Sequence, residues 1–353
     1  MKTTDLEYEL PESYIAQQAV EPRDSSRLLV IHRDTGTLEH RTFREIGEYL
    51  RPDDLLVANE SRVIPARLFG RKMPSGGKVE ILLLRDLGEN HWRVLLGGAR
   101  TRSGSRIQLI QGDEVIPLYA EVVATGERGE RTLVFSEPVE PYLDSIGQMP
   151  LPPYIHRALE NPERYQTVYS HTLGSAAAPT AGLHFTPELL LALRAQRIQL
   201  AFVTLHVGLD TFRPINEATL ESHAIHTEWG TLSPEVAAQI NRTKLMGGRV
   251  IAVGTTSVRV LETAARQGLL QTPDGTCPWR ALAPFEGFTD LYITPGFRFR
   301  VVDAMITNFH LPRSTLLALV MAFAGIDLIR KAYAEAICEH YRFFSFGDAT
   351  LML

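Results

Sequence analysis

A run of six short strand-like segments between Arg62 and about Ser136 constrains the fold of this chain more than any other feature. The segments are RVIPARLFG, KVEILLLR, HWRVLLGG, RIQLIQ, YAEVVATG and RTLVFS, and turn residues separate them. No helical period lies between them, and short strands at such regular spacing are typical of a small all-β barrel. We therefore expect an inserted β-barrel domain over residues 62–149.

The sequence on either side of this run alternates between strands and helices. LLVIHR, FREIGEYL and LLVAN indicate strand, helix and strand before the run. After a Pro- and Tyr-rich connection over 137–172, helices expected over 187–196, 233–246 and 256–267 alternate with the strands QLAFVTLHV, RVIAVG and VVDAMITNF, and two helices follow. This alternation predicts an α/β domain over 1–61 and 150–353, with a mostly parallel sheet and helices on both faces.

Charge and composition limit the partners and the compartment. Between Arg62 and Arg106, ten Lys and Arg stand against three acidic residues, in a chain whose formal net charge is -5. A basic module on an acidic body suits a phosphate-rich partner, although a solvated basic surface would give the same pattern. Two cysteines, Cys277 and Cys338, are too few for a disulfide framework. An acidic N-terminus and a longest apolar run of only Leu316–Gly325 favour a cytoplasmic protein without a signal peptide or membrane span.

Polar residues cluster in two blocks near expected strand ends, where open α/β sheets bind ligands. In the block APTAGLHFT, a glycine between small residues allows close backbone approach, and the following Thr-Pro starts a helix. In the block LHVGLDTFRP, a histidine, a threonine and an arginine follow an apolar strand, although a packed histidine would also suit that position. The residues that we expect to meet a substrate are Thr180, Gly182, His184, His206, Thr211 and Arg213.

The block SHAIHTE offers His223, His226 and Glu228. This spacing is not the helical pair of a zinc hydrolase, and no third ligand is obvious, so we expect no metal. A general acid or base role for His226 or Glu228 is the better functional interpretation, and a loop with surface histidines is the structural one.

A strand runs into a glycine and then into a helix at IAVGTTSVR. After Gly254, the hydroxyl residues Thr255, Thr256 and Ser257 open that helix, where free backbone N–H groups can bind an anion. Ordinary N-capping is the alternative for Thr255. The block is neither a phosphate loop nor a dinucleotide-binding fingerprint.

Two C-terminal blocks complete the candidate residues. In VDAMITNFHLP, a strand is expected to deliver Asp303, Asn308 and His310 at its end. In YRFFSFGD, aromatic residues alternate with Arg342 and Asp348, and they either stack on a base or pack in the core.

Taken together, these blocks closely resemble the S-adenosylmethionine:tRNA ribosyltransferase-isomerase family of queuosine biosynthesis. The resemblance runs nearly end to end, from YELPESYIAQ through LLVANESRVIPARLFG and VGTTSVRVLE to YRFFSFGDA. It implies an α/β domain with an inserted barrel. It also implies transfer and isomerisation of the ribosyl part of S-adenosylmethionine onto the aminomethyl group of 7-aminomethyl-7-deazaguanine, at the wobble position of a tRNA with a G-U-N anticodon. The products are epoxyqueuosine-tRNA, adenine and methionine.

This chemistry sets the roles that we expect. Removal of a ribose C5′ proton next to the sulfonium needs a base, departure of adenine favours an acid, and histidine suits both near neutral pH. The acid/base candidates are His184, His206, His226, His310 and Glu228. The methionine carboxylate needs an anion site, which we assign to Thr255, Thr256, Ser257 and Arg259. Further substrate contacts are expected from Thr180, Gly182, Thr211, Arg213, Gly254, Asp303, Asn308 and Asp348. Arg62 and Arg67 are expected to contact tRNA phosphates.

Three other classes of protein remain as alternatives. A conventional methyltransferase would want a Gly-rich loop after its first strand, where this chain has Asp34-Thr35-Gly36. A metal-dependent hydrolase would use the histidines of SHAIHTE. A non-catalytic tRNA-binding module would not need His and Thr at strand ends. S-adenosylmethionine is expected as co-substrate without any further cofactor, and the protein is expected to be a monomer.

Overall fold

The computed structural model describes residues 1–98, 100–126, 129–208, 214–225, 227–271 and 282–353. The chain divides into two compact units. One consists of Met1–Ser61, Pro152–Thr172 and Ala178–Leu353, and the other of Arg62–Leu151 with Leu173–Ala177. Within the described ranges, no helix combines the length and the hydropathy that a membrane crossing requires.

The elements follow the chain in this order. The strands are β1 (Arg27–Ile31), β2 (Leu38–Thr42), β3 (Leu55–Asn59), β4 (Ser61–Val63), β5 (Arg67–Met73), β6 (Lys78–Gly88), β7 (His91–Gly98), β8 (Arg106–Gln111), β9 (Glu114–Thr125), β10 (Glu130–Phe135), β11 (Thr172–Ser175), β12 (Gln199–Leu205), β13 (Glu228–Leu232), β14 (Val250–Val253), β15 (Phe285–Thr289), β16 (Ala304–Asn308) and β17 (Ala349–Met352). The α-helices are α1 (Leu143–Ile146), α2 (Pro187–Ala195), α3 (Pro234–Leu245), α4 (Thr255–Gln271), α5 (Thr315–Ala324) and α6 (Ile326–Cys338). FREIGEYL forms a 3-10 helix over Phe43–Glu48 rather than the expected α-helix.

The first unit contains a nine-stranded sheet of order β15-β13-β12-β3-β14-β16-β17-β1-β2. Its centre, β12-β3-β14-β16, is parallel, whereas β13, β15, β17 and β2 each run antiparallel to a neighbour. The sheet is therefore mixed, and the expected mostly parallel sheet is corrected on this point. The reversal of β17 has a simple cause. A single helix after β16 would carry the chain to the opposite edge of the sheet, so the next strand would be parallel. The two helices α5 and α6 instead bring the chain back to the edge at which β16 ends, so β17 is antiparallel.

Both faces of this sheet are buried, which follows from the side-chain alternation along each strand. In β1, Leu29 and Ile31 belong to a core that also contains apolar residues of α3, α4, α5 and α6. Leu28 and Val30 belong to a second core, with residues of α2 and of the 3-10 helix Phe43–Glu48. Helices thus cover both faces.

The second unit contains a closed six-stranded barrel of order β10-β7-β6-β5-β8-β9. All of its strand pairs are antiparallel. Alternate side chains fill its interior, as in β7, where Trp92 and Val94 are buried while Arg93 is exposed. The segments KVEILLLR, HWRVLLGG, RIQLIQ and RTLVFS each correspond to one barrel strand.

Candidate functional site

A pocket lies at the carboxyl edge of the parallel strands β14 and β16. These strands are neighbours, with Val253 in register with Ile306, so the residues that follow them meet at one edge. Gly254 leaves β14 with a φ of 87°, a left-handed value that favours glycine, and the chain enters α4 directly. The empty volume of the pocket, including its open mouth, is about 500 Å³. The enclosed part of that space is only about 40 Å³, and its position is where open α/β sheets bind ligands.

Six of the residues expected from the sequence line this pocket together: Thr180, Gly254, Thr255, Thr256, Asn308 and His310. Three polar residues that we did not anticipate also line it, namely Tyr154, Thr307 and Ser345. The Tyr154 hydroxyl lies 2.7 Å from Ser345 Oγ. Thr307 and Ser345 stand inside blocks already noted in the sequence, but Tyr154 comes from the Pro- and Tyr-rich connection. No local pattern indicated that this tyrosine would reach the sheet edge.

Asn308 links three segments at the floor of the site. Its Nδ2 donates to His184 Nε2 at 3.1 Å and to the Phe344 carbonyl at 3.1 Å, while its Oδ1 accepts from Thr180 Oγ1 at 3.3 Å. Since His184 Nε2 accepts, the ring proton belongs on Nδ1, which lies 2.8 Å from Ser26 Oγ. His184 therefore has a partner at each ring nitrogen.

The pKa of His184 is lowered to about 3, first because burial penalises the charged ring and then because Arg342 and Arg23 lie nearby. Its ring also stacks on Phe43, with 4.9 Å between centroids. The imidazole is consequently neutral at physiological pH and fixed in one tautomer. This environment suits a group that positions Asn308 better than one that donates a proton as imidazolium.

His310 lines the pocket directly. Its Nε2 lies 3.0 Å from Thr307 Oγ1, and its backbone N–H donates to the Tyr333 hydroxyl at 2.9 Å. Burial lowers the pKa of His310 to about 3. A second neutral imidazole thus stands at the same sheet edge, in a residue that lines the pocket.

The start of α4 forms another wall. The first helical bond runs from Val258 N–H to the Gly254 carbonyl at 3.3 Å, so the N–H groups of Thr255, Thr256 and Ser257 precede the ladder. Ser257 Oγ donates to the Val253 carbonyl at 2.8 Å, which ties this side chain to the backbone. Thr256 Oγ1, by contrast, is buried with no hydrogen-bond partner among the described residues. A buried hydroxyl without a partner costs free energy unless a ligand or water completes it.

Glu228 and Arg259 form a buried ion pair, which differs from the separate roles expected of them. Arg259 is 7% exposed and Glu228 is 6% exposed, and Glu228 Oε1 accepts from Gly208 N–H at 3.1 Å. Arg259 thus already faces one carboxylate inside the protein, and its expected assignment to the methionine carboxylate stays a prediction. Glu228 is the partner of a permanent cation, and its expected role as an acid or base stays a prediction.

Three more expected contacts lie elsewhere in the first unit. Asp303 precedes β16, at the opposite edge of the sheet from Asn308, and accepts from Lys244 Nζ at 2.6 Å. Asp348 is buried and accepts from the backbone N–H groups of Arg27 at 3.0 Å and Arg342 at 2.8 Å.

Gly182, the third of these residues, has a packing role instead, because an added Cβ would lie 2.1 Å from Tyr169 Oη. The aromatic residues of YRFFSFGD are core residues, since Phe343, Phe344 and Phe346 are all buried, and Phe344 also lines the pocket.

His206 follows β12 and stacks on Trp229 with 5.3 Å between ring centroids and 15° between planes. Burial lowers its pKa, and its Nδ1 is a buried atom without a partner in the described part of the chain. The next residue, Val207, lines the pocket. His206 thus stands beside the pocket without lining it.

The remaining candidates fall into two groups. Thr211, Arg213 and His226 lie outside the described residues, as does Cys277. Arg67, in the second unit, lies 3.1 Å from Glu80 with its side chain 31% exposed, and Arg62 is half-buried in β4. His223 lies 2.8 Å from Glu217, and the described ranges contain no group of three potential metal ligands.

A pocket lined by hydroxyl groups and one neutral histidine, at the carboxyl edge of a mixed, helix-covered sheet, is typical of an α/β enzyme. The chain belongs to the family of queuosine biosynthesis proteins, whose family model matches residues 3–352. It is 53% identical to an S-adenosylmethionine:tRNA ribosyltransferase-isomerase of Symbiobacterium thermophilum and 52% identical to one of Dehalococcoides mccartyi, with 100% of each chain covered. The solved structure of an S-adenosylmethionine tRNA ribosyltransferase of Thermotoga maritima is similar, with a TM-score of 0.55 and 41% identity over 99% of this chain and 100% of that one.

Proposed function

We propose that this chain is the S-adenosylmethionine:tRNA ribosyltransferase-isomerase of its organism and that the pocket at the carboxyl edge of β14 and β16 is its active site. The family and its relatives supply the reaction. The observation that supports the location is the convergence of Thr180, Gly254 and Asn308 with the start of α4 on one pocket. The ribosyl part of S-adenosylmethionine is transferred there to 7-aminomethyl-7-deazaguanine in tRNA and isomerised, and adenine and methionine leave.

In this proposal the first turn of α4 binds the methionine carboxylate. A helix start places N–H donors and the positive end of the helix dipole at one spot, which favours an anion. Thr256 Oγ1 has no partner among the described residues, and the bound carboxylate would complete its hydrogen bonding. Arg259 contributes indirectly, since its charge is already balanced by Glu228.

His310 is the proposed base for the ribose C5′ proton. It lines the pocket, and its ring is neutral at physiological pH, so one ring nitrogen carries no proton. The sulfonium next to C5′ acidifies the proton that this base would remove. His184 is a positioning residue that holds Asn308. The acid that protonates adenine is then proposed to be His226, while His206, whose pKa burial lowers, is proposed to hold the substrate together with Thr211 and Arg213.

The barrel unit is the proposed tRNA-binding module, and we keep for it the bounds expected from the sequence, residues 62–149. Between Arg62 and Arg106, basic residues outnumber acidic residues by seven. Basic side chains that neutralise tRNA phosphates make the binding of tRNA salt-dependent. Arg62 and Arg67 are assigned to phosphates of a tRNA with a G-U-N anticodon. We propose that the enzyme works as a cytoplasmic monomer, with S-adenosylmethionine as co-substrate and without a metal.

The reaction type is tested with S-adenosylmethionine labelled either in the ribose or in the methyl group. Ribose label in tRNA, with methyl label absent from it, is the expected result. Methyl label in tRNA would instead identify a methyltransferase and overturn the proposal.

The carboxylate site is tested with Thr256→Val, which removes one hydroxyl without changing the volume of the side chain. A hydrogen bond to a charged group contributes about 1.5–3 kcal/mol, so KM for S-adenosylmethionine should rise about 10- to 100-fold. The matched control is Thr263→Val on the same helix, because the Thr263 hydroxyl lies 2.6 Å from Thr289 Oγ1 and outside the pocket. Equal KM values for the two variants would contradict the assignment.

A further inference from the structure

Three aromatic side chains form a row across the antiparallel end of the nine-stranded sheet. Trp229 of β13 is in register with Phe288 of β15, and on its other side Trp229 accepts a backbone hydrogen bond from His206 at 2.9 Å. The rings of His206 and Trp229 are nearly parallel, at 15°. Neighbouring strands lie about 4.8 Å apart, so the row is about 10 Å long.

The outer end of this row is partly exposed in the described part of the chain. Phe288 is 44% exposed and Trp229 is half-buried, although large aromatic rings of this kind usually contribute most when they are buried. Single exposed apolar residues are common, but an aligned set on adjacent strands is a shaped surface. A β-sheet that presents aromatic rings in this way is a recurrent platform for unpaired RNA bases.

The row also ends at the pocket. His206 is its innermost member, and Val207, the next residue, lines the pocket. His206 Nδ1 is buried without a partner among the described residues, so a polar edge is available at this end.

We propose that the row His206–Trp229–Phe288 is a stacking platform for an unpaired nucleobase of the substrate tRNA. The inference rests on the proposed function, because the tRNA substrate comes from it. His206 covers one face of Trp229, so the base would stack on the side of Trp229 that is next to Phe288. Stacking is tolerant of base identity, so this surface supplies affinity and placement rather than sequence readout.

The experiment measures tRNA affinity and both KM values for Trp229→Ala, Phe288→Ala and Trp229→Phe. Loss of one stacked base weakens binding about 10- to 100-fold, so Trp229→Ala should raise Kd and KM for tRNA by that factor and leave KM for S-adenosylmethionine within about twofold. Trp229→Phe keeps an aromatic face and should recover most of the affinity. Phe288→Ala, at the exposed outer end of the row, should give a smaller loss in the same direction, and it keeps the test valid if Trp229→Ala does not fold.

Two results would overturn the inference. Unchanged tRNA affinity in the folded alanine variants would leave the row as ordinary cross-strand packing, and a rise confined to KM for S-adenosylmethionine would assign the row to adenine. Fluorescence adds a direct readout, because tRNA should quench the wild type more than Trp229→Phe. The proposed function has a separate readout, ribose-label transfer by the wild type. A wild type that binds tRNA through the row but transfers no label would therefore reject the function and retain the platform.

Discussion

Acidification should destabilise this protein through two buried histidines. His184 and His310 both have a pKa lowered to about 3 in the folded protein, and burial is the first cause for each. In the unfolded chain their pKa returns to about 6.5. Below pH 6.5 the unfolded state therefore binds protons that the folded state does not. The stability contributed by the neutral rings is fully present above pH 6.5 and is lost as the pH falls from 6.5 toward 3.

The size of the effect follows from the width of that window. Lowering the pH from 7.0 to 4.5 crosses about two pH units below the unfolded pKa, and each unit costs about 1.4 kcal/mol for each histidine. Each ring should thus remove about 3 kcal/mol from the free energy of unfolding. Both together approach the total stability of a small domain, which is about 5–15 kcal/mol.

Urea unfolding at pH 7.0 and pH 4.5 measures this difference, with His184→Gln and His310→Gln as partners to the wild type. Glutamine cannot titrate but can still hydrogen-bond, so each variant should lose less stability on acidification than the wild type, by about 3 kcal/mol. The comparison uses the change with pH, so an overall destabilisation of a variant does not affect it. If wild type and variants show the same pH dependence, the two rings are not held neutral by burial and the reasoning fails.

Two further substitutions test the packing around the site. Gly182→Ala places a Cβ 2.1 Å from Tyr169 Oη and should destabilise the first unit by about 1–3 kcal/mol in urea unfolding. Adding Tyr169→Phe should recover part of this stability. No recovery would show that the contact is unimportant. Glu228→Gln leaves Arg259 charged and buried, so the free energy of unfolding should fall by about 3–5 kcal/mol. In the double variant Glu228→Gln with Arg259→Met, the free energy of unfolding should fall by less. Equal losses in the two variants would exclude a coupled pair.

Motifs at strand ends were predictable from the sequence because direction along a strand fixes the edge at which its last residue lies. Gly254 and Asn308 end two parallel neighbours, and the structure places both on one pocket. Asp303 was misplaced because it stands before the same strand and therefore at the opposite edge. The sequence could not predict which residues distant in the chain would form a buried pair. Arg259 and Glu228 are 31 positions apart on a helix and a strand, and nothing in either block indicates that they meet.

The strand that was not anticipated, β17, explains how the C-terminal block reaches the site. A strand parallel to β16 would begin at the edge where Asp303 lies and would place the residues before it there. Because β17 runs antiparallel, Ala349 is in register with Asn308, and the chain just before it arrives at the carboxyl edge. There the Phe344 carbonyl accepts from Asn308 Nδ2, and Asp348 anchors the returning loop through the Arg342 N–H. The α5–α6 pair thus has a functional consequence, since a single crossing helix would separate this loop from the pocket.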